Sequence, residues 1–181
     1  MKKNQFIIPD SKTIPYNGEV KRTFSQKMRK IKNTLLMYLA CILPIPRLRV
    51  ALNRWRGVHI GENVYIGLFC LLDNLYPEYI YIEDCASINA GSVILTHFNP
   101  MKCHRMVQEA QVAPVYIKEK AIVAVRSIIL PGVVIGTQAI VSAGTVVDKE
   151  VPDFTIVKGN PMKKVVNYEK LVNLQKTELL K

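Results

Sequence analysis

Over residues 117–152 an aliphatic side chain returns at every sixth position without interruption: Ile117, Val123, Ile129, Ile135, Val141 and Val147. Four places after each of these stands a small residue or a second aliphatic: Ala121, Ser127, Val133, Ala139, Thr145 and Val151. The same spacing runs through Ile60, Ile66 and Leu72, and again through Ile82, Ile88 and Ile94. An α-helix needs apolar positions three to four apart and an ordinary strand needs simple alternation, so neither produces a period of six. A six-residue period predicts a β-helix, an all-β solenoid of short parallel strands whose inward residues form one continuous aliphatic column.

Two interruptions break the period. Ile82 lies ten residues after Leu72, so 73–79 stand outside the repeat. Ile117 lies 23 residues after Ile94, one full turn of three hexapeptides plus five. A protruding loop is therefore expected at about 98–114, carrying Asn99, Lys102, His104, Arg105 and Glu109. Insertions in repeat proteins collect on a functional face.

The chain on either side reads differently. Residues 1–20 hold Pro9, Pro15 and Gly18 and predict irregular structure. Residues 21–43 predict a helix, with Phe24, Met28, Ile31, Leu35, Leu39 and Ile42 on one side and Lys21, Arg22, Lys27, Arg29, Lys30 and Lys32 on the other. Pro44 and Pro46 end it. A second basic segment follows, in which Arg47, Arg49, Arg54 and Arg56 alternate with Leu48, Val50, Leu52 and Trp55. After Val151 the period stops, Gly159 and Pro161 turn the chain, and 165–180 predict a short amphipathic helix. The expected organisation is a basic helical arm or cap (1–56), a β-helix domain (57–165) and a C-terminal helix (166–181).

Charge sharpens this division. The formal net charge of +11 belongs entirely to residues 1–56, where Asp10 and Glu19 are the only acids, and the other 125 residues balance to zero. A cationic amphipathic helix with aromatic anchors fits an anionic membrane surface. It equally fits a cap over the first coil, which an open β-helix end requires; one helix can do both. Its apolar run falls well short of the roughly 20 residues that cross a bilayer. Nucleic acid is disfavoured because no known binding module accompanies the charge. Cys41, Cys70, Cys85 and Cys103 form no CxxC pair and read as reduced thiols of a cytoplasmic protein, and no secretory signal opens the chain.

The segment PVYIKEKAIVAVRSIILPGVVIGTQAIVSAGTVVDKEVPDFTIVKGNPMKKV, together with GVHIGENVYIG and ILTHFNP, resembles the hexapeptide-repeat acyltransferases over about 57–165. The nearest flavour is that of the sugar O-acetyltransferases of bacterial capsule and lipopolysaccharide synthesis. The resemblance implies a left-handed parallel β-helix, a homotrimer, and acetyl-CoA as co-substrate in a groove between subunits, with no metal. It implies acetyl transfer to a sugar hydroxyl of a surface polysaccharide or its precursor.

Such transfer needs a base to take the hydroxyl proton as oxygen attacks the thioester. Among the three histidines, His97 in Thr96-His97 matches the family's catalytic histidine. Asp73, at the first break and one coil below His97, is the candidate to fix its tautomer; a turn role in Asp73-Asn74 competes. Asn74, Asn99 and His104 are candidate acceptor contacts, while His59 precedes the first repeat and reads as structural. By family analogy the amides of Ala124 and Val125 stabilise the oxyanion. Pantetheine contacts map onto Val125 and Ala143, and phosphate contacts onto Lys149 and Lys163 with Lys164 and Lys158 beside them. Ile122 stands where many relatives have Trp, and Phe69 or Leu68 where small acetyltransferases place Asn, which argues against a galactoside or maltose acceptor. Two rival readings are a zinc lyase of the γ-carbonic anhydrase kind, needing three histidines, and a non-catalytic scaffold. Should the arm meet lipid, through 21–56, the enzyme would sit on the inner face of the cytoplasmic membrane.

Overall fold

The computed structural model describes residues 24–98 and 111–173. Each hexapeptide supplies a strand of two or three residues, and three consecutive strands make one coil of a left-handed parallel β-helix with three faces. The first face stacks His59–Ile60, Ile80–Ile82, Val115–Ile117 and Val134–Ile135; the third stacks Leu71–Leu72, Val93–Ile94, Ile128–Ile129 and Val146–Val147. The second stacks Tyr65–Ile66, Ser87–Ile88, Ile122–Val123, Ile140–Val141 and Thr155–Lys158. The registers align the six-residue positions on one another, for example Ile66 with Ile88 and Ile88 with Val123. Leu72, Ile82, Ile88, Ile94, Ile117, Ile129 and Ile135 are completely buried as one aliphatic column. Six-residue spacing produces this because each strand turns one side chain inward and the corner then rotates the chain to the next face.

The arm forms two helices, α1 (Phe24–Ile42) and α2 (Pro46–Arg56). The first helix ends at Ile42, ahead of Pro44, whereas Pro46 opens the second, at a first-turn position where its missing N–H is no loss. Three arginines of α2 close the open end of the prism, one on each face. Arg54 donates to the carbonyls of Ile60 and Gly61, at 3.1 and 2.5 Å. Arg49 donates to Ile66 O at 2.7 Å and to Leu43 O at 2.7 Å. Arg56 donates to Leu72 O at 2.9 Å and Asp73 O at 2.6 Å. Arg49 and Arg56 are buried, so these two members of the second basic segment are edge caps and not surface charge.

Two boundaries differ from expectation. Residues 111–114 return to the body: Gln111–Val112 pairs antiparallel with His97–Phe98, and Val112 and Ala113 are buried. The insertion is thus narrower than 98–114. At the C-terminus Lys163–Asn167 is a strand, antiparallel to Thr155–Lys158, and helix begins only at 169, so the helix expected from 165 starts later. Pairing with the last edge of the second face outweighs the local helical pattern.

Candidate active site

Both breaks in the period fall at the corner between the third and first faces, and there two side chains meet. The first coil leaves Leu71–Leu72 at Asp73 and, instead of another hexapeptide, takes an irregular path into a short 3-10 turn at Pro77–Tyr79. One coil above, the chain leaves Val93–Ile94 through Leu95 and Thr96 to His97. His97 Nδ1 lies 2.5 Å from Asp73 Oδ2. The carboxylate is fully buried, and 23% of the imidazole is exposed.

Asp73 makes the contacts that both readings of it call for, a turn and a histidine neighbour. Its Oδ1 accepts from the amides of Leu75 (2.8 Å) and Tyr76 (3.2 Å), the geometry of an Asx turn. Its Oδ2 accepts from the Thr96 amide at 2.9 Å and faces His97. Burial pushes this carboxyl's pKa up, but the hydrogen bonds from His97 and the Thr96 amide, with the imidazole's charge, outweigh burial and hold it down at about 2. An ionised, acceptor-only carboxylate requires Nδ1–H on the imidazole, leaving the Nε2 lone pair for chemistry.

Sequence reasoning missed two neighbours of this pair. The Tyr76 ring meets His97 edge-on at 5.6 Å between centroids, and Thr96 Oγ1 donates to Tyr76 O at 3.2 Å. Arg56 braces the other side through the Asp73 carbonyl; burial draws its guanidinium down to about 10, opposed by the neighbouring Cys41 and the Asp73 carboxylate. Nothing in the six-residue period marks either, since Tyr76 lies inside a break and Arg56 outside the repeat.

The other expected site residues are distributed as follows. Asn74 Nδ2 donates to Thr34 Oγ1 of α1 at 2.9 Å, so its amide ties the arm to the first coil. Asn99 and His104 lie outside the described residues. The Ala124 amide donates to Val141 O at 2.9 Å, and its carbonyl accepts from Ser92 Oγ and Ser127 Oγ. The expectation of an oxyanion donor at the Ala124 amide is therefore corrected: the coil ladder uses it. Val125 and Ala143 are exposed and occupy equivalent places on successive coils, at the corner between the second and third faces. Beside Ala143, Gly144 adopts φ +67°, and a Cβ there would meet nothing within 4 Å. Lys158 and Lys163 face one another across the last hairpin, and Lys164 pairs with Val157. Lys149 instead follows Val146–Val147, at the corner that carries His97 lower down. His59 stacks on Tyr81 at 4.6 Å, and Tyr81 on Tyr116 at 4.8 Å, an aromatic row on the first face. Among the described residues no three His, Cys, Asp or Glu side chains gather as metal ligands.

A Bacillus subtilis (strain 168) protein, YvoF, named as a candidate acetyltransferase, is 30% identical over 145 residues, spanning 80% of this chain and 81% of that one. The chain belongs to the hexapeptide-repeat acetyltransferases. No protein-family model matches it. Among solved structures, the hexapeptide-repeat acetyltransferase VCA0836 of Vibrio cholerae O1 biovar eltor, complexed with acetyl coenzyme A, shares the fold with a TM-score of 0.68 at 19% identity, over 86% of this chain and 93% of its own. A maltose O-acetyltransferase of Clostridium difficile 630 does so with a TM-score of 0.63 at 20% identity, over 80% and 89%. A galactoside acetyltransferase in complex with coenzyme A does so with 0.62 at 17%, over 85% and 88%.

Proposed function

We propose that this chain is an acetyl-CoA-dependent O-acetyltransferase, acting in the cytoplasm on a sugar hydroxyl of a bacterial surface polysaccharide or its precursor. The observation that carries the reading is the 2.5 Å contact between the buried Asp73 carboxylate and the partly exposed imidazole of His97. Nε2 takes the acceptor hydroxyl proton while the oxygen attacks the thioester carbonyl. As the tetrahedral intermediate collapses the C–S bond breaks, and the imidazolium returns the proton to the departing sulfur. Asp73 stays ionised throughout and supports the imidazolium.

The co-substrate reading rests on the exposed corner of Val125, Ala143 and Gly144, an open lane for an extended pantetheine, and on the Lys158–Lys163 pair at its end, two point charges suited to phosphate. Two fold neighbours hold coenzyme A or its acetyl ester, and two are named for sugar acceptors. That lane and the dyad lie at opposite edges of the third face. A thioester on one corner reaches a base on the other most directly across adjoining copies, which supports a homotrimer. Exposed Phe69, Leu71, Ile122 and Val125 give that contact an apolar surface. The free thiols of Cys41, Cys70 and Cys85 suit a reducing compartment.

The test is acetyl-CoA consumption over a panel of sugars, read by mass gain of one acetyl group. His97→Ala should lower kcat by about 10²–10⁴-fold with acetyl-CoA affinity retained. Undiminished turnover would remove His97 from the role of base.

A further inference from the structure

Helix α1 buries one side and carries an apolar stripe on the opposite, exposed side. Asn33, Met37 and Ala40 face the body and are buried. Phe24, Met28, Ile31, Leu35, Tyr38, Leu39 and Ile42 recur at intervals of three and four on the other side, each between 46% and 79% exposed. An amphipathic helix of a globular protein turns its apolar stripe inward and its charges out. Here a full stripe of large side chains points away from both α2 and the prism. Lys27, Arg29, Lys30 and Lys32 are exposed along the same helix, and residues 24–56 contain no acid at all. In α2, Arg47, Leu48 and Trp55 are likewise exposed.

We propose that the outward side of α1 docks on the surface of an anionic lipid bilayer, lying in the interface with its apolar stripe among the acyl chains and its lysines at the headgroups. Three observations select this occupant. The first is charge: an acid-free basic element complements an anionic surface, whereas a second copy would bring the same cations face to face. The second is composition, because Phe, Tyr, Leu and Ile on one side with Lys and Arg flanking them is the pattern of an interfacial helix. The third is length. No helix among the described residues is long and apolar enough to cross a membrane, while 19 residues lying flat present roughly 28 Å of helix to the interface.

Docking there sets the dyad close to the lipid. Thr34 of α1 accepts from Asn74, the residue after Asp73, and Arg29 lies 3.8 Å from Glu78 in the same break. With strands about 5 Å apart, His97 in the second coil stands only roughly 10 Å above the capped end. On the acyl-transfer reading, the acceptor is accordingly a saccharide presented at the membrane on a lipid carrier; the docking itself does not depend on that reading.

Cosedimentation of the full chain with vesicles tests the proposal. The protein should pellet with vesicles of phosphatidylcholine mixed with phosphatidylglycerol, pellet poorly with phosphatidylcholine alone, and be released by salt. The double variant Ile31→Glu, Leu35→Glu changes two exposed positions, so it should keep the wild-type melting temperature while binding the mixed vesicles at least tenfold less. Its turnover of a free sugar should match wild type, which separates failure of docking from failure of the acyl-transfer reading. Equal binding to neutral vesicles, full binding by the double variant, or a change of oligomeric state in that variant with vesicle binding intact would each overturn the proposal. The last outcome would assign the stripe to a second copy.

Discussion

The prism and the arm use the same kinds of apolar residue in opposite ways. In the prism, Leu72, Ile82, Ile94, Ile117 and Ile129 have no exposed surface; in α1, Phe24, Leu35, Tyr38 and Ile42 are each at least 60% exposed. The prism's isoleucines are satisfied by the coil above and the coil below, so the period alone dictates where they go. Among the described residues, only one side of α1 is covered by the rest of the chain. Charge divides just as sharply, since the arm's cations are themselves of two kinds. Arg49 and Arg56 are buried against carbonyls of the first coil, whereas Lys27, Lys30, Lys32 and Arg47 face solvent.

The largest effect should come from removing one aliphatic side chain on each side of this divide. Ile129→Ala should destabilise the fold by about 2–5 kcal/mol, because close-packed neighbours above and below cannot collapse into the space. Leu35→Ala should shift stability by no more than about 0.5 kcal/mol. Denaturant unfolding of the two variants measures both, and equal losses would erase the distinction. The seam comes next. Arg49→Met keeps an apolar stem but strips the donors from Ile66 O and Leu43 O, for an expected loss of about 2 kcal/mol. Arg47→Met should leave stability unchanged and weaken binding to anionic vesicles.

A comparable effect is expected in acid. Asp73 has a folded pKa of about 2, below its ordinary 3.8. Its ionised form therefore stabilises the fold fully above the ordinary value, and that contribution is lost as pH falls through about 2. The shift corresponds to about 2 kcal/mol. Asp73→Asn should flatten this acid limb in pH-dependent urea unfolding. It should also lower kcat, because an amide can present its donor to Nδ1 and stabilise the wrong tautomer. An unchanged limb would mean that the carboxylate is not held as the geometry indicates.

How much of this was legible depended on whether a residue obeyed the period. Ile60 through Val147 announced their inward positions because one strand geometry repeats at every coil. The dyad was legible for the complementary reason: Asp73 and His97 each stand where the period fails, and both breaks fall at the same corner of successive coils, which brings one above the other. Arg49, Arg54 and Arg56 looked like any other basic run, since which carbonyls they reach depends on how α2 crosses the prism, and spacing does not encode that. The Ala124 amide was misjudged because a corner position does not reveal whether the next coil takes its N–H. The start of the C-terminal helix was misjudged because an unpaired strand edge competes with local propensity.

The smallest effect concerns the far end of the prism, which contrasts with the arginine-capped end. There Lys158 and Lys163 are set directly opposite in an antiparallel pair, and no ion pair joins either to an acid among the described residues. Like charges in that relation destabilise a hairpin, so Lys163→Glu should raise stability by about 0.2–1 kcal/mol. A repulsion kept at that site makes sense if an anion relieves it, and the phosphates of coenzyme A carry that charge in the reading above. Lys163→Glu should therefore weaken coenzyme A binding while the bare fold becomes slightly firmer, as calorimetry and thermal unfolding would record. A firmer fold with unaltered affinity would move the phosphate contacts elsewhere, with Lys149 at the other corner the first alternative to replace.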